Sequence, residues 1–386
     1  MKSKTLSIVL SLLMIITLVT GCDTAQPSTN DNISVIEQEN IVEEKEQDSV
    51  VEEKVDVSTG DLQLEVHYID VGQADAALLM SKGEVMLIDG GNEEDSSLIY
   101  SYLNKLNISN IDYMIGTHAH EDHMGGLAGA LSKATVEKIY SPRSENDADF
   151  YQDFKRIVEN KGYTVDNPST GESFKFGDCQ VELYCPTYES ASDLNNTSIM
   201  AKVICGDTSF LFTGDAEDSE EHDILAQGCD VSADVLKAGH HGSDTSSTYS
   251  FIREVMPKYV IVSVGKENSY GHPDSGTLSR FRDAGAKVYR TDMQGDIIVK
   301  SNGKEISVTT ERNANADTNP TISEGSQNSQ DAQAVNRESQ YIGNKNSKKF
   351  HRPTCHSLPY EKNSVYFDTR EEAIASGYSG CKNCNP

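Results

Sequence analysis

Three histidines and one aspartate fall within six residues of the stretch Thr117-His118-Ala119-His120-Glu121-Asp122-His123-Met124-Gly125-Gly126, spaced H-x-H-x-D-H. Imidazole nitrogen and carboxylate oxygen are the ligands that borderline divalent cations such as zinc prefer. The whole chain has only ten His in 386 residues, so this density is not a matter of composition. The run follows the apolar segment Ile111 to Ile115, which reads as a buried strand. It precedes Gly125-Gly126 and then Leu127 and Leu131, which read as the start of a helix. The ligands therefore sit on a strand-to-helix loop, where one short turn aims several side chains at one point.

Two later segments repeat this arrangement. Phe210-Leu211-Phe212-Thr213-Gly214-Asp215 is an apolar strand ending in an acid. Val235-Leu236-Lys237-Ala238-Gly239-His240-His241-Gly242-Ser243 is another strand, ending in paired His. In layered α/β folds the strand ends form the rim of the site. A divalent cation held there lowers the pKa of bound water towards ~7, making hydroxide available at neutral pH.

The elements needed to position these loops are present. From Leu62 to about Thr310 short strands and amphipathic helices alternate. Strands are predicted at Leu62 to Tyr68, Val85 to Ile88, Val181 to Tyr184, Ile199 to Cys205, Ser209 to Phe212 and Val260 to Val264. Helices are predicted at Ser96 to Leu106, Phe150 to Lys161 and Glu217 to Gln227. About 250 residues of this alternation make one α/β domain with an ample core.

Several stretches resemble the metallo-β-lactamase superfamily, and within it the metallo-β-lactamase domain of ComEC-type competence proteins, which process DNA during uptake. Besides the H-x-H-x-D-H loop they are Tyr68-Ile69-Asp70-Val71-Gly72-Gln73-Ala74-Asp75-Ala76, Leu87-Ile88-Asp89-Gly90-Gly91, Asn195-Asn196-Thr197-Ser198, Tyr270-Gly271-His272-Pro273 and Arg290-Thr291-Asp292. The resemblance implies an αββα sandwich with two divalent metal ions, zinc or manganese. His118 and His120 would bind one, Asp122 and His123 the second, and Asp215 would bridge them. One of the paired histidines would complete the second site, His240 by preference, with His241 the alternative. Asp122 would orient the nucleophile or take its proton. His272 would contact phosphate or protonate the leaving group, and Asn196 and Ser243 would contact substrate. Many superfamily members carry a further His before the bridging Asp, and this chain has none between Gly162 and Asp215. An amide from Asn195 or Asn196 is a weaker zinc ligand, so the first site is expected to be loose or to take manganese.

The ends of the chain differ from this core. Lys2 and Lys4 precede an apolar run from Leu6 to Val19, short of the ~20 residues a spanning helix needs. The run closes on Leu18-Val19-Thr20-Gly21-Cys22, which resembles the lipobox of bacterial lipoproteins. That implies a signal peptide over 1–22, lipidation at Cys22 and anchoring on the outer face of the cytoplasmic membrane. Residues 23–61 hold twelve Asp/Glu and two Lys, and read as a disordered acidic stalk, a Glu-rich helix being the alternative. The domain is assigned to 62–310 and a flexible linker to 311–340.

The tail, 341–386, holds His351-x3-Cys355 and then Cys381-x2-Cys384, two ligand pairs in a zinc pattern. So small a unit buries too little to fold unaided, so one structural zinc on His351, Cys355, Cys381 and Cys384 is expected. His356 is a competing ligand, and a disulfide among the three Cys is the alternative. The segment resembles the metal-binding module of Ada-type DNA repair proteins, in which four Cys bind the metal. His351 at the first position argues against alkyl transfer, which needs all-thiolate ligation. Of the core cysteines, Cys179, Cys205, Cys185 and Cys229, a disulfide is allowed outside the cytoplasm, but sequence does not pair them.

The formal net charge is −28, with −20 over residues 62–312 and +3 over 341–386. So acidic a core does not bind a polyanion tightly without metal, and two divalent cations offset only four charges. The leading expectation is a membrane-anchored, extracytoplasmic metallohydrolase, a phosphodiesterase or nuclease on DNA or another phosphodiester. Choline-phosphate ester or lactone hydrolysis is the runner-up. A reading from another class is a surface DNA-binding or uptake accessory protein working through its basic tail.

Overall fold

The computed structural model describes residues 62–187, 193–320 and 341–386, apart from 346, 354, 356–357, 360–363, 383 and 385. The signal peptide, the acidic stalk, most of the linker and His356 fall outside the described residues.

The chain first lays down β1 (Leu64–Tyr68), β2 (Ala77–Ser81), β3 (Glu84–Ile88), β4 (Asn110–Ile115), β5 (Thr135–Tyr140) and β6 (Val165–Asp166). It then builds a second sheet from β7 (Ser173–Phe176), β8 (Cys179–Tyr184), β9 (Met200–Cys205), β10 (Thr208–Phe212), β11 (Val235–Lys237), β12 (Tyr259–Val262) and β13 (Lys287–Arg290). Finally β14 (Ile297–Ser301) and β15 (Ile306–Thr310) return to the first sheet beside β1. The sheet orders are β15-β14-β1-β2-β3-β4-β5-β6 and β13-β12-β11-β10-β9-β8-β7.

The two sheets face each other across a dry interior, where Tyr68 stacks on Phe212 and Leu64, Leu79, Phe176, Val203 and Phe210 are buried. The outer faces are covered by helices. Over the first sheet lie α1 (Ser96–Lys105), α2 (Glu121–Met124), α3 (Leu127–Lys133) and α4 (Asp149–Lys161), packing through Ile99, Leu103, Leu127 and Phe154. Over the second lie α5 (Asp218–Ala226), α6 (Tyr249–Val255), α7 (Ser275–Asp283) and α8 (Thr291–Gln294), with Ile224, Phe251, Ile252 and Phe281 turned inward. This is the expected αββα sandwich. The central strands β2, β3, β10 and β11 are buried on both faces, so a slip of one residue in their register would carry side chains worth ~1.5–3 kcal/mol apiece out of their layer.

The parallel stretches β3-β4-β5 and β10-β11-β12 decide where the site lies. Parallel strands end on the same edge. The loops after β3, β4, β10 and β11 therefore share one rim, and those loops carry Asp89, His118 to His123, Asp215 and His240-His241.

One feature differs from expectation and a second settles what the sequence left open. Residues 311–320 do not leave the domain. Arg312 donates to Asp70, Thr318 Oγ1 donates to Val288 O at 2.6 Å and Asn319 donates to Leu278 O at 3.1 Å. Polar side chains read as linker here, yet they serve as hydrogen-bond partners for the edge of the domain. Second, Cys179 and Cys205 form a disulfide across the β8–β9 pair, Cα–Cα 4.5 Å. Cys185 lies past the end of β8 and is half-buried.

The tail folds on its own sheet, β16 (Tyr341–Asn344), β17 (Lys349–His351), β18 (Ser364–Phe367) and β19 (Ser379–Gly380), in the order β18-β16-β17-β19 with α9 (Arg370–Ala375).

Candidate metal centre

The H-x-H-x-D-H loop is compressed by what surrounds it. His120 precedes α2, and Met124, Gly125 and Gly126 run directly across the loop after β3. A Cβ on Gly126 would sit 1.9 Å from Gly90 O, and one on Gly125 would sit 2.3 Å from Glu93 N. No other residue fits either place, and that crossing brings Asp89 under His123.

One ligand atom each from Asp122, His123, Asp215 and His241 lies within 4.8 Å of the others. His123 Nε2 faces Asp215 Oδ1 at 3.3 Å, and His241 Nε2 is 3.1 Å from Asp122 Oδ2 and 3.4 Å from Asp215 Oδ2. Beside this cluster His118 Nε2 and His120 Nδ1 approach to 3.1 Å, and the His118 and His123 rings are 4.1 Å apart.

The far nitrogens are held from behind. His123 Nδ1 is 2.8 Å from Asp89 Oδ2, and Thr117 donates to the same carboxylate through its N–H and its hydroxyl. His241 Nδ1 is 3.0 Å from Ser263 O and 3.3 Å from Asp75 Oδ1, and Asp75 pairs with buried Lys237. His118 Nδ1 faces Thr117 Oγ1 at 3.2 Å. Ligand imidazoles are held in this way, the second ring nitrogen fixing tautomer and direction.

The donor set fits a divalent cation. His123 Nε2 and Asp215 Oδ1 are buried and make no hydrogen bond. Burial alone would lower the His123 and His241 pKa values. Asp215 counters this at both, with Asp89 and Asp122 at His123 and Asp75 at His241, and holds them well above the ordinary value. Burial opposes ionisation of Asp215 and Asp122 too, yet His123 and His241 hold both well ionised. A divalent cation would displace those two imidazole protons and take over the balancing of the clustered carboxylates. His118 differs, since burial and the neighbouring His123 push its pKa well down and keep the ring neutral, the form a metal needs.

The structure revises one expectation and places two other expected residues within hydrogen-bonded surroundings. His241, the alternative, joins the cluster, and His240 does not. His240 Nδ1 turns to Glu217 and Thr245 at 3.3 Å each, leaving its Nε2 3.7 Å from Asp215. Strand parity fails here because β11 stops at Lys237, after which His240 (φ 49), His241 (φ 53) and Gly242 (φ 82) are all left-handed. Such backbone in two non-glycine residues is strained and sets which ring points inward. Asn196 is spent on the fold: its Oδ1 accepts from Glu217 N and Glu220 N at the start of α5, and its Nδ2 donates to Glu217. Both of its side-chain atoms are thus engaged by the start of α5, whereas the Oδ1 of its neighbour Asn195 is buried without a hydrogen bond. Ser243 is buried, and its hydroxyl is bonded to Thr245 within the same loop.

His272 lies at the rim, 5.5 Å from His240 ring to ring, with Gln73 Nε2 3.5 Å from its Nδ1. Burial and the nearby His240 and His241 lower its pKa, so the ring is neutral near pH 7. Sequence reading gave no role to Asp75 or Asp89. Asp89 carries the same signal as Asp215, an acid closing an apolar strand. In the tail, His351, Cys355, Cys381 and Cys384 bring their ligand atoms within 4.8 Å of one another. His351 Nδ1 is 3.3 Å from Cys355 Sγ, and Arg352 N donates to Cys384 Sγ, an arrangement that suits zinc.

The family model of the metallo-beta-lactamase superfamily matches residues 69–266, and that of the metal binding domain of Ada matches residues 327–386. ComE operon protein 3 of Bacillus subtilis (strain 168) is 28% identical over 251 residues, 60% of this chain and 32% of that protein. Competence protein ComA of Neisseria gonorrhoeae is 28% identical over 228 residues, 58% of this chain and 30% of that protein. The chain thus spans about a third of the length of these relatives. Among solved structures, the metallo-beta-lactamase fold protein YhfI from Bacillus subtilis aligns with a TM-score of 0.44 at 13% identity, over 62% of this chain and 99% of that one.

Proposed function

This chain belongs to the metallo-beta-lactamase superfamily, and we propose that it is a metal-dependent phosphodiesterase acting on DNA or another phosphodiester outside the cytoplasm. The observation that carries the proposal is the convergence of Asp122, His123, Asp215 and His241, with His118 and His120 at their flank. Divalent metal bound there supplies a water acidic enough to ionise at neutral pH and a positive anchor for a phosphodiester oxygen.

The chain's own residues would divide the remaining work. Asp89 and Asp75 keep His123 and His241 aimed. Asp122 is the most exposed of the four clustered groups, its side chain 32% accessible, and stays ionised, so it is the base placed to take the proton of an attacking water. His272 is neutral, so it offers the phosphate a hydrogen bond rather than a ready proton. The expectation of leaving-group protonation weakens accordingly.

The relatives named for competence support DNA as the phosphodiester. A lipid anchor at Cys22 on the outer face of the cytoplasmic membrane is part of the proposal. The Cys179–Cys205 disulfide supports that side of the membrane, since such bonds persist in oxidising compartments. In the tail, His351, Cys355, Cys381 and Cys384 would hold one structural zinc.

The test is hydrolysis of bis(p-nitrophenyl) phosphate and of single-stranded DNA with added Mn²⁺ or Zn²⁺. Turnover by the wild type that His118→Ala abolishes supports the reading, and no turnover on either substrate overturns it. Release of a Cys22→Ala protein from membranes into the soluble fraction checks the anchor.

A further inference from the structure

Tyr270 stands at the rim of the metal centre with 71% of its surface exposed, among the most exposed large side chains described. Its ring stacks on His272 at 5.7 Å and 26°, and His272 meets His240 edge-on at 5.5 Å. Three rings thus step from open solvent to the ligand loop.

The loop that presents Tyr270 is built, not loose. Asn268 Nδ2 donates to Gly265 O and His272 O at 2.9 and 2.7 Å, and its Oδ1 accepts from Tyr270 N and His272 N at 3.2 and 3.0 Å. Gln73, from the loop after β1, accepts from Gly265 N at 3.0 Å and contacts His272. Asp274 N donates to Gly242 O at 2.9 Å, tying the same loop to the His240-His241 turn. All these bonds fix an aromatic face in water, where it adds nothing to the core.

Charge sharpens the point. Residues 62–312 carry a net −20, so the domain gains little from long-range attraction to a polyanion. A strand that binds here needs contacts indifferent to charge, and base–aromatic stacking is such a contact.

We propose that Tyr270 is a stacking platform for the nucleobase next to the scissile phosphodiester, so that the substrate class is a nucleic-acid strand rather than a base-free diester or a lactone. This rests on the phosphodiesterase reading and refines it.

The test compares an oligodeoxynucleotide with the same backbone carrying abasic tetrahydrofuran residues, using the full chain with Mn²⁺. Wild type should show a KM about 10-fold lower for the base-bearing strand, as one stacked base provides. In Tyr270→Ala that preference should fall below about 2-fold through KM more than kcat, and Tyr270→Phe should restore it. Discrimination unchanged in Tyr270→Ala overturns the proposal. A second readout needs no turnover: fluorescence of a strand containing 2-aminopurine should be quenched by wild type and not by Tyr270→Ala. Quenching that depends on Tyr270 without cleavage of either strand would reject the hydrolase and keep the platform. Cleavage with equal quenching by both proteins would reject the platform and keep the hydrolase.

Discussion

Asp89 Oδ2 lies 2.8 Å from His123 Nδ1, and neither group reaches solvent. Asp89 holds this position from left-handed backbone, φ 59, at the end of β3. Burial raises its pKa, but His123 and the Thr117 bonds work the other way. The strain is local and buys one thing, an imidazole whose outer nitrogen is fixed. Asp89→Asn keeps the shape and the acceptor for Thr117 N while removing the charge. Metal affinity should fall about 10–100-fold, read by competition with a chromophoric chelator, with far-UV circular dichroism unchanged. Wild-type affinity in this variant would show that Asp89 only braces the loop.

His240 and His241 are neighbours with different work. Elemental analysis after metal loading should find the second ion lost in His241→Ala and retained in His240→Ala. The reverse pattern would mean that the turn rearranges around metal.

Much of this centre was legible in the sequence. H-x-H-x-D-H, Thr-Gly-Asp and His-His-Gly each close an apolar strand, and parallel strands bring such ends to one rim. What was hidden depended on tertiary neighbours. Two successive left-handed residues erase strand parity at His240-His241. Asn196 and Ser243 look like substrate contacts beside motifs, but the start of α5 and the hydroxyl of Thr245 already occupy them. Asp75 meets His241 across 166 residues of chain, a separation no spacing rule spans.

Glu221 clamps the ligand loop from below. It is buried and accepts from Ser247 N, Thr248 N and Thr248 Oγ1. Burial pushes its pKa up to about 7, against those bonds and nearby Arg280. A carboxyl raised by folding stabilises most below its unfolded value of 4.5 and loses that stabilisation as pH rises through about 7. Denaturant melts at pH 5 and pH 8 should therefore show wild type losing ~2–3 kcal/mol relative to Glu221→Gln. A stability difference independent of pH would mean the carboxyl is ionised throughout.

Cys179 and Cys205 are 26 residues apart, and their bond closes that loop in the unfolded chain. Loop entropy puts the stabilisation at about 3–4 kcal/mol. The Cys179→Ala, Cys205→Ala double variant should melt lower by that amount under oxidising conditions and match wild type more closely in reductant. Equal stability in both conditions would mean that the thiols stay reduced.

Among the described residues the tail's core is Phe350, Phe367, Ala373 and Tyr378, with Tyr341 and Val365 packed against it. So small an apolar cluster does not offset the entropy of ordering the unit. Its stability is expected to come from His351, Cys355, Cys381 and Cys384 closing on one ion, since folding and binding are then the same event. Stripping zinc from the full chain with a strong chelator should expose the amides of β16, β17 and β18 to hydrogen exchange within seconds. The strands of the sandwich, with their own three apolar layers, should keep their protection. Cys381→Ser should reproduce the effect without chelator, and a tail that stays protected in both experiments would need a fold that stands without metal.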